Sequence, residues 1–219
     1  MKICQVLTLC FLINQAIGQN QDWDITLINS EKGLSNNWVH TVFRDRWGYN
    51  WFGTENGLCR FDGKRFKIFQ HEQGNQQSLS FNLISDIAEA ADGNMWLAIN
   101  GGGITLFNPH SGQSQNLSIP THPITHSISL FGKTVCIDKQ DKVWYGCYNN
   151  GLYSFDPQTN GYDQFDLAPA EQVKTNSFEK NTVNDIIIDK NDPNQLWIAS
   201  NDHEDGLVSL DIQTGKMKQ

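Results

Sequence analysis

Residues 201–205 (Asn-Asp-His-Glu-Asp) are the densest group of side chains that could do chemistry. They offer carboxylate and amide oxygens and the imidazole of His203, which are metal-ligand types. Consecutive residues can reach one ion only if the loop curls in a specific way. The sequence has neither the twelve-residue calcium-loop pattern nor a His-x-x-x-His spacing. We therefore predict a solvated acidic loop and no metal site.

Sequence patterns typical of catalytic sites are absent from the chain. There is no Gly-x-Ser-x-Gly elbow, no Walker loop and no Cys-x-x-Cys pair. The six histidines are scattered over loops and strand ends, where each is typical of a surface or turn residue. We therefore predict no cofactor and no enzymatic activity. An enzyme with a loop His or Tyr as its base stays open as an alternative.

A four-strand pattern that recurs four times must position any site. It is clearest at residues 39–69, where short β-rich segments alternate with turn signals such as Asp62-Gly63. Repetition at a period of about 40–50 residues predicts a propeller or a similar array. We predict an all-β fold, a β-propeller of four-stranded antiparallel blades, with about four blades present. The predicted blades cover residues 38–70, 82–117, 130–165 and 182–219, and the last stops where its fourth strand begins.

Several residue types recur at fixed offsets in the four units, which assigns them to the architecture. A Trp opens strand two, a small residue follows two positions later, and a Gly precedes or opens strand three. Four residues after that Gly comes Phe or Leu, and then Asp or Asn, which can cap its own turn. Trp supplies apolar area, the small residue admits a neighbouring backbone, and Gly permits positive φ. The recurring Trp and Gly residues are Trp51, Trp96, Trp144, Trp197, Gly57, Gly103, Gly151 and Gly206.

The N-terminus has the features of a secretory signal peptide. Lys2 precedes a short apolar run, and Ala16 and Gly18 provide small residues at the expected cleavage site. We predict a signal peptide at 1–18, then an N-terminal strand at 22–28 and a lead-in loop within 19–37. The apolar run is shorter than the roughly 20 residues that a bilayer span needs. The predicted mature chain is exported and has no membrane span.

The charge of the chain limits the partners that it could bind, and its cysteine count limits the disulfides that it could form. The formal net charge is −8 and no Lys/Arg cluster occurs, which argues against nucleic-acid binding. Outside the predicted signal peptide lie Cys59, Cys136 and Cys147. An odd count is a poor disulfide framework, so we expect buried thiols. A Cys136–Cys147 bridge across a tight hairpin stays open.

Residues on loops at one end of the predicted blades are candidates for ligand binding. If strand one is innermost, the loops before strand one and between strands two and three share one face of the propeller. Amides, carboxylates and an aromatic ring there would suit a sugar, whose hydroxyls need polar partners. The alternative is that Asn merely serves turn geometry. The candidates are Trp38, Glu55, Asn56, Asn100, Asn149, Asn150 and His203.

Residues 33–69, GLSNNWVHTVFRDRWGYNWFGTENGLCRFDGKRFKIF, closely resemble the two-component regulator propeller repeat. The match includes the Gly-Leu-Ser lead-in, the Asp-x-x-Gly turn, Trp-Phe-Gly-Thr, and Gly-Leu followed by Phe-Asp-Gly. Later copies are degraded. The resemblance implies the exported sensor region of bacterial hybrid two-component systems, many of which respond to oligosaccharides. It also implies a seven-bladed ring, of which this chain would be an incomplete part.

The resulting expectation is a periplasmic ligand-sensing propeller segment that binds an oligosaccharide or another small polar ligand. Its expected partners are the remaining propeller and kinase parts of a longer protein, with a homodimer left open. Two other functions stay open: an exported, lyase-like propeller enzyme acting on polysaccharide, and a protein-interaction scaffold.

Overall fold

The computed structural model describes residues 25–117, 131–148, 150–167, 181–201 and 206–218. Within them lie four sheets of four antiparallel strands, each sheet in the order of the chain, and one short 3-10 turn at Ser30–Lys32. The prediction of an all-β fold built from four-stranded antiparallel blades is confirmed. Blade 1 contains β1 Val39–Arg44, β2 Asn50–Thr54, β3 Gly57–Phe61 and β4 Phe66–Phe69. Blade 2 contains β5 Leu83–Glu89, β6 Met95–Asn100, β7 Gly103–Phe107 and β8 Ser114–Leu117. Blade 3 contains β9 Gly132–Ile137, β10 Val143–Cys147, β11 Leu152–Asp156 and β12 Gly161–Phe165. Blade 4 contains β13 Val183–Ile188, β14 Gln195–Ser200, β15 Leu207–Asp211 and a short β16 Met217–Lys218.

The blades follow one another around an axis with strand one on the inside. Strand β1 contacts β5, β5 contacts β9, and β9 contacts β13. Each first strand also packs against the second strand of the preceding blade. This is the face-to-face sheet packing of a propeller, which buries apolar side chains between neighbouring sheets.

The recurring Trp of blades 1, 2 and 3 faces the next blade. Trp51 lies in a buried cluster with Ile84 and Leu97 of blade 2. Trp96 shares a second cluster with Tyr145 of blade 3, and Trp144 a third with blade 4. Their exposed fractions of 0%, 4% and 1% place these three rings inside the blade interfaces. A ring buried between two blades contributes apolar area to their packing.

A carboxylate accepts the indole N–H of the recurring Trp in three of the blades. The Trp51 indole Nε1–H donates to Asp45 Oδ2 at 2.8 Å, and Trp144 donates to Asp138 Oδ2 at 2.9 Å. Blade 4 repeats this bond between Trp197 and Asp189. The other carboxylate oxygen accepts backbone N–H groups of the turn after strand one. One Asp side chain in each of these blades thus accepts backbone N–H groups of the first turn and the indole N–H of the Trp.

The small residue after the Trp is required by close packing at the axis. A Cβ added to Gly53 would lie 2.6 Å from Thr41 Cγ2 and 2.8 Å from the Ile84 carbonyl oxygen of blade 2. At Gly146 the added atom would lie 2.5 Å from Val183 Cγ1 of blade 4. The predicted close approach of the neighbouring blade occurs at both positions.

The recurring strand-three Gly adopts positive φ in three of four blades. Its φ is +108° at Gly57, +78° at Gly103 and +72° at Gly151. Gly206 does not have a left-handed φ, and a Cβ there would meet nothing within 4 Å. Blade 4 therefore differs from the other three at this position, and its loop between strands two and three is longer.

The lead-in segment covers the face of blade 1 that points away from blade 2. Leu34 is 5% exposed, and the Ser35 backbone N–H donates to Cys59 Sγ at 3.3 Å. The Ser35 hydroxyl also contacts Thr54 Oγ1 at 2.8 Å. Residues 25–28, the described end of the predicted N-terminal strand, belong to no strand, and 22–24 lie outside the described residues.

Cys59, Cys136 and Cys147, the cysteines among the described residues, form no disulfide with one another. Cys147 packs in the cluster between blades 2 and 3, whereas Cys136 packs toward blade 4. A bridge between them is excluded because the two side chains lie on opposite faces of blade 3. Burial raises the pKa of Cys136 far above its ordinary value, which suits an unreactive thiol.

Candidate functional site

The loops before strand one and after strand two meet at one end of the blades. The Glu55 N–H donates to the Trp38 carbonyl at 3.2 Å, and the Tyr148 N–H donates to the Phe131 carbonyl at 2.9 Å. Blade 4 has the same bond, from Asn201 to the Thr182 carbonyl. The two kinds of loop therefore share a face. We call this face the rim.

Blade 1 brings three of the predicted residues together on the rim. The Trp38 ring is 67% exposed, although its backbone is held by Asn36 Oδ1 and by Glu55. Glu55 and Asn56 are also exposed. Asn56 is fixed through its backbone, because its N–H donates to Thr54 Oγ1 and its carbonyl accepts a bond from a Gln side chain. The result is an open indole beside a carboxylate and an amide.

The other predicted site residues are not exposed on the rim in the way that Trp38, Glu55 and Asn56 are, or lie outside the described residues. Asn100 is half-buried and forms an isolated backbone bridge with Phe131 across the interface between blades 2 and 3. Asn150 is 3% exposed and lies in the interior of its turn. Asn149 and residues 202–205, which include His203, lie outside the described residues.

Exposed aromatic rings on the rim were missed by the sequence reasoning. Phe81 is 49% exposed, Phe131 51% and Tyr148 39%. Phe81 and Phe131 lie just before strand one of blades 2 and 3, as Trp38 does in blade 1. An aromatic residue occurs in each of these lead-in segments, and this recurrence is the sequence feature that could have indicated the rings.

A lysine and two amides continue the rim at blades 3 and 4. Lys133 Nζ donates to Asn184 Oδ1 at 2.6 Å and lies 5.9 Å from the centroid of the Tyr148 ring. Asn184 in turn contacts the Asn201 side chain. Burial lowers the pKa of Lys133 from its ordinary value. Cation, ring and amides are thus linked in one polar group beside the axis.

The inner strands carry a second polar feature, a Thr–Asp ladder across the blades. Thr41, Asp86, Thr134 and Asp185 occupy the same strand-one position, each opposite the small residue of strand two. Asp86 accepts bonds from Thr41 Oγ1 at 3.2 Å and from Thr134 Oγ1 at 3.0 Å. Thr134 also contacts Asp185 at 3.2 Å. Desolvation raises the pKa of Asp86. Because its bonds reach both neighbouring blades, we assign the ladder to blade alignment.

The rim suits binding better than covalent chemistry. His40 Nε2 lies 3.9 Å from Glu55 Oε1, and both side chains are more than one-third exposed. Such a pair lacks the buried environment that usually tunes a catalytic base. No group of three or more metal-ligating side chains occurs within the described ranges. In the same ranges no helix is long and apolar enough to span a bilayer.

Comparison with known proteins relates the chain to extracellular propeller domains. No family model matches it. Over 78 residues it is 31% identical to Histidine kinase P4 of Formosa agariphila, which is 36% of this chain and 6% of the kinase. The extracellular domain of BT3049 from B. thetaiotaomicron, described as a hybrid two component system, superposes with a TM-score of 0.70 at 22% identity.

That superposition covers 89% of this chain and 26% of the solved structure, so the chain spans about a quarter of the BT3049 domain. A Streptogramin B lyase has a TM-score of 0.60 at 14% identity, over 85% of this chain and 55% of that one. The fold is therefore shared by an extracellular domain of a signalling system and by an enzyme. Fold similarity therefore does not distinguish a sensor from an enzyme, and the distinction depends on the residues of the site.

Proposed function

We propose that this chain is the ligand-binding propeller segment of an exported two-component sensor and that its rim binds an oligosaccharide. The observation that carries the proposal is the set of exposed rings around one face, with Trp38 the most open of those at the blade lead-ins. Amides and a carboxylate stand beside that ring. The resemblance of residues 33–69 to sensor propeller repeats supports the same role.

Sugar binding needs both kinds of group found on the rim. The C–H face of a pyranose packs on an aromatic ring, while its hydroxyls need donors and acceptors at fixed positions. The backbone bonds at Trp38 and Asn56 hold these residues before a ligand arrives, which lowers the entropy lost on binding. A flat platform with flanking amides would accept a chain of neutral sugar units.

Signalling requires parts beyond these blades. In the proposed sensor, the periplasmic propeller binds the sugar and the rest of the protein passes the change in domain arrangement to a kinase. The face of blade 4 that carries Ile187 and Leu207 is exposed at 64% and 57%. It is the face on which a further blade of the ring would pack.

The test is calorimetric titration of the full chain with a panel of neutral oligosaccharides. We expect heat from at least one sugar and a loss of affinity of about three- to tenfold for Trp38→Ala, since stacking contributes roughly 0.5–1.5 kcal/mol. Ile187→Ala is the control, because Ile187 is an apolar side chain, 64% exposed, near the end of β13 that lies opposite to the rim. Absence of heat with every sugar, or equal losses for both variants, would refute rim binding.

The lyase fold similarity keeps an enzyme as the second candidate. Incubation with polysaccharides, followed by absorbance of unsaturated ends, tests it directly. The sensor proposal expects no product. Product that forms with the wild type but not with His203→Ala or His40→Ala would support an enzyme and refute the sensor proposal.

A further inference from the structure

A second cavity lies between blades 1 and 2, at the end of the strands opposite to the rim. It has a volume of about 200 Å³. Its walls come from the turn after β1 and from the turn after β7, with one side chain from β3. We call it the notch, and it is formed by Asp45, Trp47, Tyr49, Arg60, Pro109 and His110.

Arg60 places a positive charge in the notch. Its guanidinium lies 4.6 Å from the Tyr49 ring centroid and 5.7 Å from that of Trp51. Nη1 donates to the Pro109 carbonyl at 3.2 Å. A guanidinium has five N–H donors, and this is the one bond that the described residues give it. The stacked group is fixed in position with donors left for an anion.

Two further side chains complete the notch. The Trp47 and His110 rings meet edge to face, with centroids 4.9 Å apart and planes at 76°. Trp47 packs on Gly93, where a Cβ would come within 2.6 Å of the indole. The indole therefore presents a fixed edge beside an imidazole and the guanidinium.

The propeller repeat supplies an internal comparison. A cavity of about 340 Å³ occupies the same place between blades 3 and 4. There Gln140 stands for Trp47, Gln213 for His110 and Ser154 for Arg60. The cavity itself thus belongs to the architecture. The guanidinium and the Trp–His ring pair occur in the notch, whereas the counterpart has Lys142 in place of Tyr49, and its Nζ is paired with Asp163 Oδ2 at 3.1 Å.

The Asp45 carboxylate lines the same cavity, but its hydrogen bonds do not use the N–H donors of the Arg60 guanidinium. The carboxylate accepts the Trp51 indole N–H and the backbone N–H groups of Trp47 and Tyr49. The bond to Pro109 could also mean that Arg60 only joins two blades. That role alone does not account for a half-exposed indole and an imidazole at the cavity mouth.

We propose that the notch is a second ligand site, for a sugar unit that carries a carboxylate. Arg60 recognises the carboxylate with paired N–H donors, His110 adds a donor, and the Trp47 edge contacts the ring. The volume is below the roughly 300–1,000 Å³ of pockets for drug-sized ligands, so one sugar ring is the expected occupant. Strands of about 17–20 Å separate the notch from the rim, so a single sugar ring cannot contact both sites.

The test follows the indole N–H signals of the full chain by NMR during titration with glucuronate, glucose and acetate. The Trp47 signal is assigned by its loss in Trp47→Gln. We expect glucuronate to shift it with a Kd of about 1–10 mM, and glucose and acetate to bind at least about tenfold more weakly. Arg60→Lys, which keeps the charge and loses the paired donors, should raise the glucuronate Kd about tenfold.

Two controls separate binding from folding and from the rim. His110→Gln installs the residue type of the counterpart cavity and should weaken glucuronate binding, whereas Gln213→Ala in that cavity should not. Unchanged dispersion of the other indole signals shows that each variant is folded. The proposal is overturned if glucuronate leaves Trp47 unshifted, if acetate binds as tightly, or if Arg60→Lys and His110→Gln both bind as the wild type. The Trp38 signal reports the rim separately, so failure of either site is seen on its own.

Discussion

Removing the Asp138 carboxylate tests how a blade is held together. Asp138 is 5% exposed and accepts three hydrogen bonds, from Gln140 N, Lys142 N and Trp144 Nε1, each at 2.9 Å. In Asp138→Ala the Trp144 indole, which is 1% exposed, would keep its position in the blade interface without an acceptor.

The expected loss follows from these three bonds. A buried donor left without a partner costs about 1–3 kcal/mol. The two turn N–H groups lie nearer to solvent and can bind water, so each adds about 0.5 kcal/mol. Relief of the desolvated carboxylate offsets part of this cost. We expect the free energy of unfolding to fall by about 2–3 kcal/mol for Asp138→Ala, and by less for Asp138→Asn, which retains one acceptor oxygen.

Urea unfolding, monitored by tryptophan fluorescence, measures the change. The midpoint should fall while the slope with denaturant stays constant. Asp92→Ala is the control, because this exposed carboxylate caps its own turn through Asn94 and contacts no indole in the structure. It should cost less than about 1 kcal/mol. A loss for Asp138→Ala no larger than for Asp92→Ala would refute the role given to the indole bond.

Two pairs of substitutions at equivalent positions of different blades, and a change of pH, are expected to alter the free energy of unfolding. Gly151→Ala places a Cβ at φ +72° and 2.5 Å from a carbonyl oxygen, so it should cost about 2–4 kcal/mol in urea unfolding, whereas Gly206→Ala should be nearly neutral. Leu152→Ala should cost about 2–5 kcal/mol because Leu152 is fully buried, but Leu207→Ala, at 57% exposure, less than about 1. Equal effects within either pair would contradict the assigned packing. Hydrogen bonds lower the pKa of four turn carboxylates, so their contribution to folding is present above about pH 4 and is lost as the pH falls through the lower folded pKa. Unfolding midpoints should drop below pH 4, although Asp86, whose pKa is raised by burial, acts in the opposite sense. A midpoint that stays constant down to pH 3 would contradict this. The four carboxylates are Asp62, Asp156, Asp189 and Asp211.

Features that repeat were predictable from the sequence, because a repeated residue must solve the same packing problem in each blade. The Trp of strand two and the capping Asp or Asn after strand three could be placed without coordinates. Asp62 and Asn108 do cap their own turns, through Lys64 N and His110 N. Four copies of one pattern average out the local ambiguity that limits a single strand assignment.

Contacts between blades were not predictable in the same way. The link from Thr41 to Asp86 joins residues 45 positions apart, and Arg46 reaches Glu89 and the following turn across the same interface. Neither pair has a local signature. The exposed rings Phe81 and Phe131 were missed for another reason, since an aromatic residue near a strand start usually indicates core packing. Only the exposed fraction of each ring, which the structure supplies, distinguishes an exposed ring on the rim from a ring in the core.

The exposed face of blade 4 follows from the same repeat logic as the buried ones. Leu207 stands opposite Ala199, as Leu58 stands opposite Gly53 in blade 1. Leu58 is fully buried by blade 2, whereas Leu207 is 57% exposed. Stability in repeat arrays is roughly the sum of blade and interface terms, so a sheet packed on this face would add a term like that of the other interfaces. The exposed face of blade 4 is therefore the equivalent of the faces that carry the buried Trp in blades 1, 2 and 3.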